Sequence, residues 1–207
     1  MEEKHCLNIA FTMRNTLPNG RVFCTIEKEF VREGVPMLQC FYPDVFISST
    51  YQIDFQKYYD SGYRGIIFDI DNTLVPHGAP ADERSILLIG NLKAMGFQIL
   101  LLSNNKEPRV KMFNDAVHVH YIYKAGKPGR AGYRKAMEQM GTNEKNTLFV
   151  GDQLFTDVWG ARNTGIFSIL VEPIDKKEEI QIVLKRYLEK IVLFFYRRKC
   201  KGEEGKC

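Results

Sequence analysis

The stretch Gly65-Ile-Ile-Phe-Asp-Ile-Asp-Asn-Thr-Leu-Val75 decides the fold, because an apolar run ends in two carboxylates one residue apart. Residues two apart in an extended segment point to the same side, so Asp69 and Asp71 can share one small space. At about 4 Å, two carboxylates repel each other by about 4 kcal/mol at an effective dielectric constant of 20. Such repulsion raises a pKa unless a cation lies between the groups. The pair therefore indicates a metal site or a shared proton, and a plain strand end with an Asp-Asn turn is the alternative.

Strand and helix patterns alternate along the chain around this stretch. Strands are predicted at 65–69, 98–102, 119–123, 147–150 and 166–171, and helices at 53–61, 82–95, 106–116, 128–140 and 156–164. In the helix over 82–95, the predicted buried side consists of Ile86, Leu87, Ile89, Leu92 and Met95. This alternation indicates an α/β fold with a mainly parallel sheet covered on both faces, whose active site lies at the carboxyl ends of strands.

Polar loops follow three more of the predicted strands. Ser103-Asn-Asn105 offers a hydroxyl and amide groups that can hold a phosphate oxygen. Lys124-Ala-Gly-Lys-Pro128 leads into a helix, with Pro128 suited to the first helical turn. Gly151-Asp-Gln-Leu-Phe-Thr-Asp157 follows the fourth strand and carries two carboxylates. Each loop taken alone is more typical of a solvated surface than of a site. The prediction that they form a site depends on their common position after predicted strands.

Asp69-Ile-Asp-Asn-Thr-Leu-Val75 resembles the first motif of the haloacid dehalogenase (HAD) superfamily of phosphatases, and the three polar loops match its other motifs in order. Met37-Leu-Gln-Cys-Phe-Tyr-Pro-Asp44 resembles the start of the YqeG-like phosphatases, an IIIA-type HAD branch. The resemblance covers about residues 37–195 and implies a HAD-like Rossmannoid three-layer α/β/α sandwich. Because the segments 74–81 and 103–127 leave no room for an inserted domain, we expect a capless enzyme with an open site.

The resemblance implies roles for the residues that contact the substrate. Asp69 would be the nucleophile that attacks phosphorus, and Asp71 would be the general acid and base. Ser103 would bind the phosphate, with Asn104 as a helper. Lys127 would neutralise the carboxylates and bind the phosphoryl group, because it forms the Lys-Pro pair of the family. Lys124 is the second candidate for that role.

The resemblance also implies Mg²⁺ as the cofactor. The metal would be held at Asp69, Asp71 and Asp152, with a backbone carbonyl and a phosphate oxygen completing a set of hard oxygen ligands. Asp157 has two alternative roles, which stay open at this point. In the first, it supports the metal site, either through a water molecule or through contact with the residues that bind the metal. In the second, it caps the helix that begins there.

The charge is unevenly distributed and suggests three segments. Residues 1–36 form an N-terminal extension of unclear status, and one hypothesis is that translation begins at Met37. Residues 37–175 form the predicted phosphatase domain. Residues 176–207 contain ten Lys and Arg against five acids, so this tail has a net charge of +5. Because the whole chain has a net charge of +4, the remainder carries −1. An anionic partner is therefore expected to meet the tail first.

The tail is predicted to form a basic amphipathic helix. Its apolar positions have helical spacing at Ile180, Val183, Leu184, Tyr187, Leu188, Ile191, Phe194 and Phe195. Basic residues occupy other positions around this helix and cluster after it, at Lys185, Arg186, Lys190, Arg197, Arg198, Lys199 and Lys201. Two alternatives follow: the helix lies on an anionic membrane, or its apolar stripe packs on the domain's own sheet.

The five cysteines are scattered without a CxxC pair, which argues against a disulfide framework or a zinc site and favours a reducing compartment. No run of about 18 apolar residues indicates a membrane-spanning helix. We therefore expect a cytoplasmic protein with peripheral contact at the inner face of the membrane.

The substrate class follows from the resemblance. YqeG-like proteins include phosphatidylglycerophosphate phosphatases, so the expected substrate is a phosphorylated, anionic lipid head group. The alternatives are a phosphatase acting on nucleic acid ends or phosphoproteins, and an inactive binding protein. No basic stripe interleaved with aromatic residues occurs outside the tail, so no nucleic acid partner is expected.

Overall fold

The computed structural model describes residues 10–12, 25–27, 39–175, 188–194 and 196–197. The chain divides into two compact units, Met1–Met37 and Leu38–Cys207. In the first unit, strands β1 (Ala10–Thr12) and β2 (Thr25–Glu27) pair antiparallel. The boundaries predicted at 36–37 and 175–176 for segments of separate function stay predictions.

A six-stranded parallel sheet forms the centre of the second unit. Its strands in chain order are β3 (Val45–Ile47), β4 (Gly65–Phe68), β5 (Gln98–Leu102), β6 (His120–Ile122), β7 (Thr147–Gly151) and β8 (Phe167–Val171). Their spatial order is β3-β8-β7-β4-β5-β6, and every neighbouring pair is parallel. The chain runs outward from β4 through β5 to β6 and then returns to β7 on the other side of β4. Ligands of open α/β sheets bind where the strand order reverses in this way, here beside β4.

Helices cover both faces of the sheet. They are α1 (Phe55–Asp60), α2 (Glu83–Met95), α3 (Glu107–Val117), α4 (Arg130–Met140) and α5 (Trp159–Thr164). Successive residues of β4 enter different cores, because side chains alternate along a strand. Ile66 and Phe68 pack with residues of α2 and α3, whereas Ile67 packs with residues of α4 and α5. The three-layer α/β/α architecture predicted from the sequence is therefore confirmed.

The described part of the second unit contains no inserted cap domain between residues 39 and 175. A loop leads from Phe68 to Glu83, and only a short loop and α3 lie between Leu102 and His120. The carboxyl ends of β4 and β5 are therefore not followed by any additional folded layer of the chain. This agrees with the capless fold expected from the sequence.

The predicted buried side of α2 is partly wrong. Ile89 and Leu92 are buried, but Ile86 is 41% exposed and Leu87 is 65% exposed. The capping box at the start of α2 turns Ser85 inward, so the buried row runs through Ser85, Ile89 and Leu92. At about 100° per residue, Ile86 and Leu87 lie roughly 100° and 200° around the helix from Ser85, toward solvent.

Two of the predicted helix starts that differ from the structure lie next to the site. The helix expected from residue 156 begins as a π-helical turn at Leu154–Val158, which continues into α5. The helix expected to include Pro128 in its first turn begins at Arg130, and Pro128 precedes it after a cis peptide bond. Both displacements affect loops that carry site residues.

Strand β3 was not predicted. It lies at the edge of the sheet beside β8, and three residues are too few to show the periodicity of a strand. Among the described residues, no helix has both the length and the apolar character needed to cross a membrane.

Part of the predicted tail helix is described. Residues 188–194 and 196–197 are helical. The predictions for residues 180–187, Phe195 and 198–207 fall outside the described residues.

Candidate active site

Four loops that are far apart in the sequence start from neighbouring strands. Asp69 follows β4, Ser103 follows β5, and Asp152 follows β7. Lys127 lies in the connection between β6 and α4. The order β7-β4-β5-β6 places all four loops at one edge of the parallel sheet. The predicted convergence of the four motifs is therefore explained by the topology.

Lys127 links two of the carboxylates. Its Nζ atom lies 2.6 Å from Asp69 Oδ1 and 2.8 Å from Asp157 Oδ1, and its side chain is only 4% exposed. Burial by itself lowers the pKa of a lysine, but here Asp157 and Asp69 outweigh it and raise the pKa of Lys127 above its ordinary value. The ammonium group therefore stays charged inside the site.

The position of Lys127 is set through its backbone by Asn104. The side-chain amide of Asn104 accepts a hydrogen bond from Lys127 N–H at 2.8 Å and donates one to Lys127 C=O at 3.1 Å. Lys124, the second candidate for the phosphate-binding role, is exposed. Lys127 is thus the lysine beside the carboxylates, whereas direct contact between Asn104 and a phosphate stays a prediction.

Three buried carboxylates form a group that fits a divalent cation. Asp69, Asp152 and Asp157 each offer an oxygen atom, and these atoms lie within 4.8 Å of one another. Burial raises the pKa of Asp69 to about 7, Lys127 opposes this increase, and Asp157 adds to it. With all groups ionised, three carboxylates against one ammonium leave a charge of −2. Hard oxygen donors and this charge are what Mg²⁺ prefers in proteins.

Asp69 is buried but lies close to the surface. Its side chain is 9% exposed, so the nucleophile predicted from the sequence is not sealed inside the core. Ser103 is 2% exposed, and its Oγ atom accepts a hydrogen bond from Asn105 N–H at 3.1 Å. This bond leaves the hydroxyl proton of Ser103 to donate to another acceptor. The phosphate contact of Ser103 stays a prediction.

Asp157 lies in the π-helical turn and belongs to the site. Its Oδ2 atom accepts a hydrogen bond from Gln153 N–H at 3.1 Å, and its other oxygen pairs with Lys127. A Cβ atom on Gly151 would come within 2.5 Å of Asp157 Oδ2, so only glycine leaves room for this close approach. No side chain caps α5 at Val158, whereas Asp157 Oδ2 holds the N–H of Gln153, which precedes the helical turn that continues into α5. Asp157 thus contacts both the residue before the helical turn and Lys127, and its support of a metal site stays a prediction.

The carboxylate of Asp71 is not one of this group of three and is held by other partners. Its Oδ1 atom accepts hydrogen bonds from Arg109 Nη2 at 2.8 Å, Arg109 Nε at 3.2 Å and Gly78 N–H at 2.7 Å. Its Oδ2 atom accepts one from Asn105 Nδ2 at 2.7 Å. A metal contact by Asp71 stays a prediction. Sequence reasoning missed Arg109, because its contact with Asp71 depends on how α3 is placed against the loop after β4.

A tight turn after Asp71 connects the first motif to the fourth. Asn72 has φ of 60°, a left-handed conformation that asparagine tolerates better than most residues, and its N–H donates to Val75 C=O at 2.8 Å. The turn brings Thr73 Oγ1 to 3.4 Å from Asp152 Oδ1. The Asp-Asn turn considered as an alternative to a site is therefore present and is part of the site.

Comparison with known proteins agrees with this geometry. A HAD-hydrolase-like family model matches residues 124–179. The chain is 34% identical over 160 residues to the probable phosphatase YqeG of Bacillus subtilis, and the match covers 77% of this chain and 93% of that protein. The chain belongs to the YqeG family of HAD-type phosphatases.

Two further proteins are similar to this YqeG-family phosphatase at lower identity. Phosphatidylglycerophosphate phosphatase 1 of Arabidopsis thaliana is 29% identical over 171 residues, which are 76% of this chain and 48% of that protein. A HAD phosphatase from Thermococcus onnurineus has a TM-score of 0.41 and 18% identity, and it covers 48% of this chain and 50% of its own. The family membership confirms the resemblance found in the motifs, and it makes the protein an enzyme of the HAD phosphatase type.

Proposed function

We propose that this YqeG-family enzyme hydrolyses a phosphomonoester through an aspartyl-phosphate on Asp69. The observation that carries the proposal is the buried ion pair of Lys127 with Asp69 inside a group of three carboxylates. A lysine at this place compensates the charge of the nucleophile and offers its remaining donor capacity to phosphoryl oxygens. The hydroxyl of Ser103, at the same edge of the sheet, would donate to another phosphoryl oxygen.

The reaction proceeds in two displacements. In the first, an oxygen of Asp69 forms a bond to phosphorus, the bond to the leaving oxygen breaks, and Asp71 gives its proton to the departing alkoxide. In the second, water attacks phosphorus, Asp71 takes a proton from that water, and the bond from Asp69 to phosphorus breaks. Phosphate leaves and both aspartates return to their initial states.

Asp69, Asp152 and Asp157 would hold Mg²⁺, which when bound stabilises negative charge on the transferring phosphoryl group. We expect EDTA to abolish phosphate release from an aryl phosphate and added Mg²⁺ to restore it. We expect Asp152→Asn to raise the Mg²⁺ concentration needed for half-maximal rate by at least about 10-fold, because loss of a residue that only supports a metal ligand already has an effect of that size. Full activity in EDTA, or an unchanged Mg²⁺ requirement in the variant, would contradict the assignment.

Arg109 is expected to position Asp71 for proton transfer. Its guanidinium holds Asp71 Oδ1 through two nitrogen atoms. An aryl phosphate has a good leaving group that needs little protonation, whereas an alkyl phosphate depends on the acid. We therefore expect Arg109→Ala to lower kcat on an alkyl phosphate by about 10- to 100-fold more than on an aryl phosphate, which is part of the roughly 10²- to 10⁴-fold that acid catalysis typically contributes.

The control for Arg109 is Arg84→Ala, which changes an exposed arginine that lies over the ring of Tyr51. We expect this variant to show the parental ratio of the two rates. An equal loss on both substrates in Arg109→Ala would mean that Arg109 only supports the local structure.

The proposed substrate is phosphatidylglycerophosphate, which would be converted to phosphatidylglycerol in the cytoplasm at the inner face of the membrane. Support comes from the plant relative that carries this activity in its name. The capless fold also supports it, because no domain inserted between residues 39 and 175 excludes a large, membrane-embedded substrate.

A phosphate-release panel tests the substrate. It compares phosphatidylglycerophosphate in anionic vesicles, soluble sugar phosphates, and oligonucleotides with a 5′- or 3′-phosphate. We expect the lipid to give the highest kcat/KM. A preference for sugar phosphates or for oligonucleotide ends would overturn the lipid assignment and leave the phosphatase chemistry intact.

A further inference from the structure

The C-terminal helix packs on the domain with a defined orientation. Val192 is 3% exposed and lies in a buried cluster with Leu154, Val158 and Leu170. Glu189 is 4% exposed, and its Oε1 atom accepts a hydrogen bond from Leu154 N–H at 2.8 Å. One apolar and one polar contact therefore fix which side of the helix faces the domain.

The opposite side of the helix exposes an apolar stripe, which consists of Leu188, Ile191 and Phe194. These side chains are 54%, 54% and 58% exposed. Their spacing of three residues places them along one side of the helix. Sequence reasoning left open whether these residues pack on the sheet, and the structure turns them outward because Glu189 and Val192 occupy the inward side.

The surroundings of the apolar stripe are basic. Lys190 and Arg197 are exposed on the same helix, and the guanidinium carbon of Arg197 lies 5.5 Å from the centre of the Phe46 ring. The sequence from residue 176 to 207 carries a net charge of +5. Apolar side chains flanked by Lys and Arg are typical of helices that lie in the surface of an anionic bilayer.

We propose that the apolar stripe docks on an anionic phospholipid bilayer. A second copy of this chain fits less well, because a symmetric contact through the stripe would bring Lys190 and Arg197 of one copy toward those of the other. The purpose of membrane binding rests on the proposed function, because a lipid substrate has to be reached at the bilayer surface. The binding itself depends on the exposed side chains and the charge.

The docking surface is connected to the catalytic loop. Leu154, whose N–H is bound by Glu189, lies two residues after Asp152 and three before Asp157. The helix that would contact the bilayer is therefore packed directly on the loop that carries two of the three carboxylates.

The test uses the full chain and vesicles without any phosphomonoester, so a wrong substrate assignment does not affect the result. Sedimentation with phosphatidylglycerol/phosphatidylcholine vesicles is compared with sedimentation with pure phosphatidylcholine vesicles. We expect binding to the anionic vesicles that weakens at high salt. The triple variant Leu188→Ser, Ile191→Ser, Phe194→Ser should lower the partition coefficient by about 100-fold, because most of the inserted apolar surface is lost.

The matched control is Leu87→Ser, which removes a 65% exposed leucine from α2 and should bind vesicles like the wild type. Equal vesicle binding by the triple variant would overturn the proposal. The proposal would also be overturned if the wild type does not bind vesicles but forms a dimer in sedimentation equilibrium that the triple variant does not form. A second copy of the chain would then cover the apolar stripe.

A single substitution tests the proposal if the triple variant does not fold. Phe194→Trp places an indole at the most exposed position of the apolar stripe. The chain has one native tryptophan, Trp159, so the background fluorescence comes from a single residue. We expect its fluorescence to shift to shorter wavelength when anionic vesicles are added, as the indole enters the interface. No shift at saturating lipid would overturn the proposal.

Discussion

Asp69→Asn should lower kcat for phosphate release by at least about four orders of magnitude, the scale seen when a catalytic nucleophile is removed. The amide nitrogen and oxygen cannot form the acyl phosphate that a carboxylate forms. Asn keeps the shape of Asp69 and can still accept a hydrogen bond from Lys127, so the loss should come from chemistry. Steady-state assays with an aryl phosphate at saturating Mg²⁺ measure the effect.

The fold of the Asp69→Asn variant should be intact. Because burial raises the pKa of Asp69 from its ordinary value of 3.8 to about 7, the folded protein binds more protons than the unfolded chain between these values. This contribution to stability is full below about pH 4 and is lost as the pH rises through 7. Without divalent metal at pH 8, the variant should therefore unfold at a denaturant concentration no lower than the wild type does.

The matched control is Asp82→Asn, which changes the exposed N-cap of α2 to another good capping residue and should keep full activity. Steady hydrolysis by Asp69→Asn at more than one hundredth of the wild-type rate would refute the nucleophile assignment. If Asp69→Asn is unfolded instead, the carboxylate of Asp69 is needed for stability, contrary to the expectation above.

Lys127→Met should damage both stability and catalysis. It leaves Asp69 and Asp157 buried without their ammonium partner, and breaking such a buried pair costs about 3–5 kcal/mol in the free energy of unfolding. Loss of a charge that stabilises the transferring phosphoryl group should lower kcat by about 10²- to 10³-fold. Urea unfolding without metal and phosphate release with Mg²⁺ measure the two effects separately.

Lys124→Met is the matched control for Lys127→Met. Lys124 is exposed and lies three residues earlier in the same loop, so its replacement should change the free energy of unfolding by less than about 0.5 kcal/mol. A larger loss of activity in Lys124→Met than in Lys127→Met would reverse the assignment of the phosphate-binding lysine. The double variant Lys127→Met, Asp157→Asn should recover part of the lost stability, because one uncompensated carboxylate is removed.

Most of the secondary structure that positions the site could be predicted from local sequence. β5 has the predicted bounds, and β4 and β7 differ from prediction by one residue at one end. Buried parallel strands are short, continuous apolar runs, and they stand out from the helices between them. The exposure of Leu87 could not be predicted, because a helix with apolar residues on more than one side has no unique inward direction until it packs.

The pairing of charged groups was less predictable. Asp157 had two possible roles in the sequence, and its contact with Lys127 depends on the π-helical turn and on the space left by Gly151. The contact between Arg109 and Asp71 joins residues 38 positions apart. Such contacts depend on how α3 is placed against the loop after β4, and no local pattern contains that information.

The sequence by itself determined the parallel α/β fold, the family and the strand ends at which the site residues lie. The reason is that apolar runs, and the polar, Gly and Pro residues that bound them, set secondary structure locally. Only the tertiary structure decided which carboxylates share a cation, which lysine compensates them and which side of the C-terminal helix faces outward. The physical reason is that charge pairing and burial are set by distances between elements, and these distances exist only after the sheet has brought its strands together.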